Sequence, residues 1–134
     1  MAASGTYTEA LSSGGNLTIT SRNWSIEYYF PGPDLRYKGT FVSVNERDVK
    51  DHIQAFQDNW AEYEQMRAMV PNGTEVEKKG QSGMVIRVGG YWPGVSLRSY
   101  HMPLSGRGQI DKVIADYRYA LDRAPAIQKF LASI

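Results

Sequence analysis

The sequence predicts an α+β fold, in which a single antiparallel sheet of about five or six strands is packed by a long central helix and by C-terminal helices. Residues 24–30 alternate between apolar and polar side chains, as a half-buried strand does. Residues 45–67 and 109–122 instead repeat their apolar side chains at helical spacing. Strands come first, then a helix, a hairpin and further helices. That order favours an antiparallel sheet over a parallel α/β arrangement.

The bulk composition is that of an ordinary globular domain. The chain has 134 residues, of which 42% are hydrophobic and 22% charged, so it can bury a core without a metal or disulfide staple. We expect one domain over residues 1–134, with residues 1–16 loosely ordered apart from a short edge strand at 6–11. The sequence shows no internal repeat and no linker.

Charge and cysteine content exclude several classes of function. There are 15 Lys plus Arg against 14 Asp plus Glu, so we expect no nucleic-acid partner, because such binders carry a large basic excess. Cysteine is absent, which excludes disulfides, cysteine-ligated zinc and a thiol nucleophile. No apolar run approaches the roughly 20 residues of a membrane span. The N-terminus lacks the pattern of a signal peptide, so we expect a cytoplasmic protein without a membrane partner.

The first third of the chain predicts three strands. Residues 17–21 are rich in β-branched side chains, and Trp24–Phe30 places Trp24, Ile26, Tyr28 and Phe30 on one face. Residues 31–34, Pro-Gly-Pro-Asp, predict a turn. Residues 36–44 carry apolar side chains on both faces, which predicts a central strand.

The clearest helix runs from Asn45 to Arg67. Five large side chains at four-three-four-three spacing form its apolar stripe, namely Val49, Ile53, Phe56, Trp60 and Tyr63. The Asn45 side chain can cap the first turn, and Glu46 and Asp48 complement the positive end of the helix dipole.

The second half predicts a hairpin and two helices. Residues 74–79 carry four charges and predict a protected edge strand. Residues 84–91 and 95–102 predict strands joined by Trp92-Pro93-Gly94. Residues 103–109 predict a loop. An apolar stripe predicts a helix at 109–122, and a last short helix at 126–133 would follow Pro125 at a helix start.

The sequence contains no pattern of catalytic residues. His52 and His101 are far apart, and the chain lacks the zinc, calcium, phosphate-loop and nucleophile-elbow motifs. We therefore predict no catalytic residues, no metal site and no cofactor. The protein is interpreted as a binding module rather than an enzyme.

Two features indicate a surface for a protein partner. Tyr91 and Trp92 lie at a predicted turn, and exposed Tyr and Trp are enriched in interfaces. Between Glu46 and Met66 there are six acidic and two basic residues. The outer side of that helix, with Asp51, Asp58 and Glu62, could dock a basic partner, although a solvated helix face has the same composition.

A different class of function stays open, namely a small-ligand or enzymatic pocket between the sheet and the helices. Its polar residues would come from the later hairpin: Arg87, Arg98, Tyr100 and His101. A homo-oligomeric structural subunit is a third alternative.

The order of elements resembles known proteins. A strand followed by a helix with Phe56 and Trp60 in a Phe-x-x-x-Trp pattern, then a strand at Met84–Val88 and a terminal helix, is similar to uncharacterised families of small bacterial α+β proteins. Some of these are regarded as immunity proteins of polymorphic toxins. The resemblance covers residues 17–134 and implies a partner that is itself a protein, such as a toxin domain. It assigns no catalytic residues.

Overall fold

The fold is α+β, as the sequence predicts, but it contains two antiparallel sheets of four strands each. The computed structural model describes residues 5–30, 40–98 and 101–134. The prediction of one sheet with five or six strands is wrong. The described chain has four strands and a long helix, followed by four strands and a second long helix, with a short 3-10 helix at Gln81–Gly83 between the first two strands of the second set. The elements therefore repeat although the sequence does not.

The first sheet has the order β1-β2-β3-β4. Its strands are β1 (Tyr7–Ala10), β2 (Asn16–Ile19), β3 (Trp24–Phe30) and β4 (Thr40–Asn45). The predicted alternation of β3 is confirmed, because Trp24, Ile26 and Tyr28 are buried. The strand predicted as central is instead the last in this order, and the predicted turn at 31–34 lies outside the described residues.

The second sheet has the order β5-β6-β7-β8. Its strands are β5 (Val76–Lys79), β6 (Val85–Val88), β7 (Gly94–Arg98) and β8 (His101–Leu104). The predicted edge strand β5 is confirmed. The strand predicted over 95–102 is divided into β7 and β8. The predicted loop at 103–109 is also partly strand, because Pro103 pairs with Ser96 across the ladder.

Helix α1 (Glu46–Met69) confirms the predicted helix and its cap. The Asn45 Oδ1 atom accepts a hydrogen bond from the Asp48 amide at 2.9 Å. Val49, Phe56 and Tyr63 of the stripe are buried. Burying each such side chain stabilises the fold by about 1.5–3 kcal/mol.

Helix α2 (Arg107–Ala132) replaces the two C-terminal helices that the sequence predicts. Pro125 lies inside it rather than at the start of a new helix. Proline removes one backbone hydrogen bond and crowds the preceding turn. Here Pro125 is exposed and follows the buried Ala124, so the proline is on the side of the helix that faces water.

The chain divides into two compact units. The first comprises residues 1–50 and 115–134, and therefore contains the first sheet, the start of α1 and α2 from Ala115 onward. The second comprises residues 51–114, with the second sheet, most of α1 and the start of α2. The second core includes Phe56, Met84, Ile86, Leu97 and Ile110.

Candidate functional site

The connection between β6 and β7 is a tight turn that carries two aromatic side chains. Gly89 and Gly90 have φ angles of 78° and 77°, a region that side chains other than glycine rarely adopt. A Cβ atom on Gly89 would lie 2.5 Å from the Thr74 carbonyl oxygen, so this backbone approach also requires glycine. The turn fixes the direction of the next two residues, Tyr91 and Trp92.

Tyr91 is 98% exposed, whereas Trp92 is half-buried. Both were predicted from the sequence to bind a partner. The structure brings them together at the rim of a pocket of about 360 Å³. The pocket lies within the second unit and is lined by residues of β5, β6 and the turn, together with Glu75 directly before β5: Glu75, Val76, Glu77, Arg87, Val88, Gly89, Gly90, Tyr91 and Trp92.

Arg87 forms part of this pocket and is held across three strands. It stands opposite Glu77 in the β5–β6 register, and its Nε atom donates to Glu77 Oε1 at 2.8 Å. Its Nη1 atom donates to Ser96 Oγ on β7 at 3.1 Å. The side chain of Arg87 is 11% exposed and that of Glu77 is 59% exposed. Arg87 is thus a fixed lining residue, and its positive charge is compensated by Glu77.

Glu75 lines this pocket but was not predicted from the sequence as a site residue. Its carboxylate approaches Gly90, with the Glu75 Cδ atom 3.4 Å from the position that a Cβ atom on Gly90 would occupy. In the sequence, Glu75 and Glu77 were interpreted as charges that protect an edge strand. Their place beside the aromatic turn depends on the pairing of Val76 with Val88, for which the sequence carries no signal.

The other residues of the predicted ligand set are not gathered here. Arg98 is exposed at the end of β7 and stands opposite His101 in the ladder. Tyr100 lies outside the described residues, and His101 is the first residue of β8. This pocket is formed by strands and a turn, whereas the pocket predicted from the sequence would lie between the sheet and the helices.

The acidic residues predicted on α1 differ in their surroundings. Asp51 is exposed. Asp58 is also exposed and accepts a hydrogen bond from Gln54 at 2.9 Å. Glu62 is half-buried and pairs with Lys78 of β5. One of the three predicted docking charges is therefore compensated within its own unit, and the role of the other two stays a prediction.

The first unit contains a separate cluster around the carboxylate of Glu9. Tyr7 donates to Glu9 Oε1 at 2.7 Å, and Tyr119 donates to Glu9 Oε2 at 2.7 Å. The hydrogen bond from Tyr7, followed by that from Tyr119 and the charge of Arg123, holds the pKa of Glu9 below its ordinary value. The same bonds to Glu9 raise the pKa of both Tyr7 and Tyr119.

A buried polar network lies beneath the turn between β1 and β2. Asp116 of α2 accepts hydrogen bonds from Ser12 Oγ at 2.9 Å and from the Ser13 amide at 2.7 Å. Burial raises the pKa of Tyr28, and burial together with the neighbouring Tyr28 raises the pKa of Tyr117 well above its ordinary value. These groups anchor the β1–β2 turn to α2 and have a structural role.

The described residues contain no group of three or more His, Cys, Asp or Glu side chains placed to hold a metal ion. Over residues 5–30, 40–98 and 101–134, neither helix has the length and apolarity needed to cross a membrane. Comparison with models of protein families, with curated proteins and with solved structures gives no significant match.

Proposed function

We propose that this chain is a protein-binding module of the immunity or antitoxin type, which inhibits a partner protein by contact. The observation that carries the proposal is the turn at residues 89–92, where a fully exposed tyrosine and a half-buried tryptophan border a concave pocket. The inhibitory part of the proposal rests on the resemblance in element order to small bacterial immunity proteins.

The energetics of the turn favour a binding role. A tyrosine buries about 150–250 Å² when it is covered, and Tyr91 leaves nearly all of its surface in water. Tyrosine and tryptophan dominate the energetic centres of interfaces, where truncation commonly costs 2 kcal/mol or more. The paired glycines allow the left-handed backbone conformation of this turn.

The test is a differential capture experiment in lysate of the native host. Immobilised wild-type protein is compared with Tyr91→Ala and with Tyr29→Ala, and the captured proteins are identified by mass spectrometry. Tyr29 is a suitable control because it is 58% exposed and lies on β3 in the other unit, against Phe41. We expect one protein to be retained by wild type and Tyr29→Ala but lost with Tyr91→Ala.

The captured protein is then purified, and its toxicity or enzymatic activity is measured with increasing amounts of the chain. The proposal expects inhibition that is complete at one equivalent and a Kd weakened about 10- to 30-fold by Tyr91→Ala. Equal capture by Tyr91→Ala and wild type would overturn it. So would a captured partner whose activity is unaffected by saturating amounts of the chain.

One observation favours a second candidate, a small-ligand site. The volume of the pocket, about 360 Å³, falls in the range of ligand-binding clefts, roughly 300–1,000 Å³. Native mass spectrometry of protein purified from its host would show a co-purifying small molecule if this function holds. In that case Trp92→Ala should release the molecule, whereas the protein-binding proposal expects no bound small molecule in the spectrum.

A further inference from the structure

The pocket at the aromatic turn contains one acidic charge in excess. Glu75, Glu77 and Arg87 are its charged lining residues, and Glu77 is paired with Arg87. Within the described parts of the chain, the Glu75 carboxylate forms no ion pair with Lys, Arg or His. The pocket is therefore complementary to a single positive charge.

The position of Glu75 directs that charge toward the turn. Its carboxylate oxygens are 3.5 and 3.7 Å from the position of a Cβ atom on Gly90, so they lie over the backbone next to Tyr91. Any side chain at residue 90 would approach the carboxylate and would also be strained at a φ of 77°. Glycine at residue 90 is therefore required by the backbone conformation of the turn, and the Glu75 carboxylate lies beside that turn.

A guanidinium group matches this combination better than other cations do. It is planar, so it stacks on the faces of Tyr and Trp, and it donates two parallel hydrogen bonds to one carboxylate. An ammonium group makes the charge interaction but does not stack as a plane. A divalent metal would require several oxygen ligands, whereas the pocket provides one unpaired carboxylate.

We propose that the pocket formed by Glu75, Tyr91 and Trp92 receives an arginine side chain from the surface of the partner protein. This inference rests on the proposed function, because it names the partner's contacting group. The guanidinium group would pair with Glu75 and stack on the face of Tyr91 or Trp92.

The inference is tested without knowledge of the partner by titrating the peptide acetyl-Gly-Arg-Gly-amide into ¹⁵N-labelled protein. The resonance to follow is the Trp92 indole N–H, assigned by comparison with Trp92→Phe. The citrulline analogue of the peptide is the matched neutral probe, since it keeps the shape and loses the charge. The lysine analogue distinguishes stacking from simple attraction between charges.

We expect the arginine peptide to shift the Trp92 indole in a saturable way and to bind about tenfold more tightly than the citrulline peptide. Lysine should bind more weakly than arginine. Glu75→Gln should weaken arginine binding about tenfold, whereas Glu64→Gln, which removes an exposed carboxylate elsewhere in the same unit, should leave it unchanged.

Equal binding of the arginine and citrulline peptides would overturn the inference, as would equal effects of Glu75→Gln and Glu64→Gln. The two proposals fail separately. If the peptide response is absent but capture of a partner still depends on Tyr91, the arginine inference is rejected and the protein-binding proposal is retained. A specific peptide response without any Tyr91-dependent partner would reject the proposed function while retaining a guanidinium site.

Discussion

Asn59 is a buried amide on α1 that holds the turn between β5 and β6, and its removal should destabilise the second unit measurably. The residue is 0% exposed. Its Oδ1 atom accepts from the Gln81 amide at 2.9 Å, and its Nδ2 atom donates to the Gln81 carbonyl at 3.2 Å. Ser82, the next residue of the turn, has a φ of 56°, an uncommon conformation that depends on such external bonds.

The magnitude follows from these bonds. Asn59→Ala removes both hydrogen bonds to Gln81, each worth about 1 kcal/mol, and leaves a partly buried amide without its acceptor. It also removes the weaker contact from Nδ2 to Met84 Sδ at 3.2 Å. We expect the free energy of unfolding to fall by about 2–3 kcal/mol.

Urea-induced unfolding, followed by tryptophan fluorescence, measures this change. With a denaturant slope of about 1–3 kcal/mol per M, the midpoint should fall by about 0.7–3 M. Gln65→Ala is the matched control because Gln65 is exposed on the same helix, so it should change stability by less than about 0.5 kcal/mol. Equal midpoints for Asn59→Ala and Gln65→Ala would refute the role assigned to Asn59.

Three further predictions concern charges and buried phenols. Glu77→Gln should lower the free energy of unfolding by only about 1 kcal/mol, because the carboxylate that binds Arg87 is more than half exposed. A double-mutant cycle with Arg87→Met, measured by urea unfolding, should show a coupling energy of that size, and additive effects would contradict the pairing. The pKa of Glu9 is lowered in the folded protein. Its contribution to stability is therefore present above the pKa of the unfolded chain, about 4.3, and is lost as the pH falls through the pKa of the folded protein. The stability advantage of wild type over Glu9→Gln should therefore shrink as the pH falls below about 4.3, and a difference that is constant with pH would argue against the bonds to Glu9. The raised pKa of Tyr117 gives a contribution that is present below about pH 10 and is lost as pH rises further. Above pH 10, the free energy of unfolding of Tyr117→Phe should therefore fall less than that of wild type. Absorbance at 295 nm follows the ionisation of the nine tyrosines, and ionisation of all nine before the protein unfolds would contradict the burial of Tyr117.

Helix α1 could be predicted closely because its determinants are local. The apolar stripe depends only on spacing along the chain, and the hydrogen bond from the Asp48 amide to the Asn45 side chain spans three residues. The alternation of Trp24–Phe30 is local in the same sense, so the buried face of β3 was also predicted.

The number of sheets could not be predicted, because strand alternation does not say which strands pair. Val42 and Val44 are buried, and Phe41 is 71% exposed in a cross-strand contact with Tyr29. Apolar side chains on both faces of β4 predicted a central strand, but β4 is the last strand in the order of its sheet. The prediction that a new helix begins at Pro125 was wrong because a proline on the exposed side of a helix does not end that helix.

The candidate site was predicted in part. The GGYWPG sequence at residues 89–94 marks a turn with aromatic side chains, and the structure places Tyr91 and Trp92 together there. Glu75 and the fixed position of Arg87 could not be predicted, because they depend on the register that sets Glu77 opposite Arg87. Asn59 carried no signal either, since a polar residue beside the apolar stripe of a helix is ordinarily exposed.

The most direct test of the central claim, that the turn at residues 89–92 contacts a partner protein, is site-specific photo-cross-linking in the native host. Benzoylphenylalanine replaces Tyr91 in one strain and Tyr29 in another, and the adducts are mapped by mass spectrometry. We expect the probe at residue 91 to give one adduct with a single protein, attached next to an arginine on that partner's surface. An adduct from residue 29 with none from residue 91 would contradict the claim.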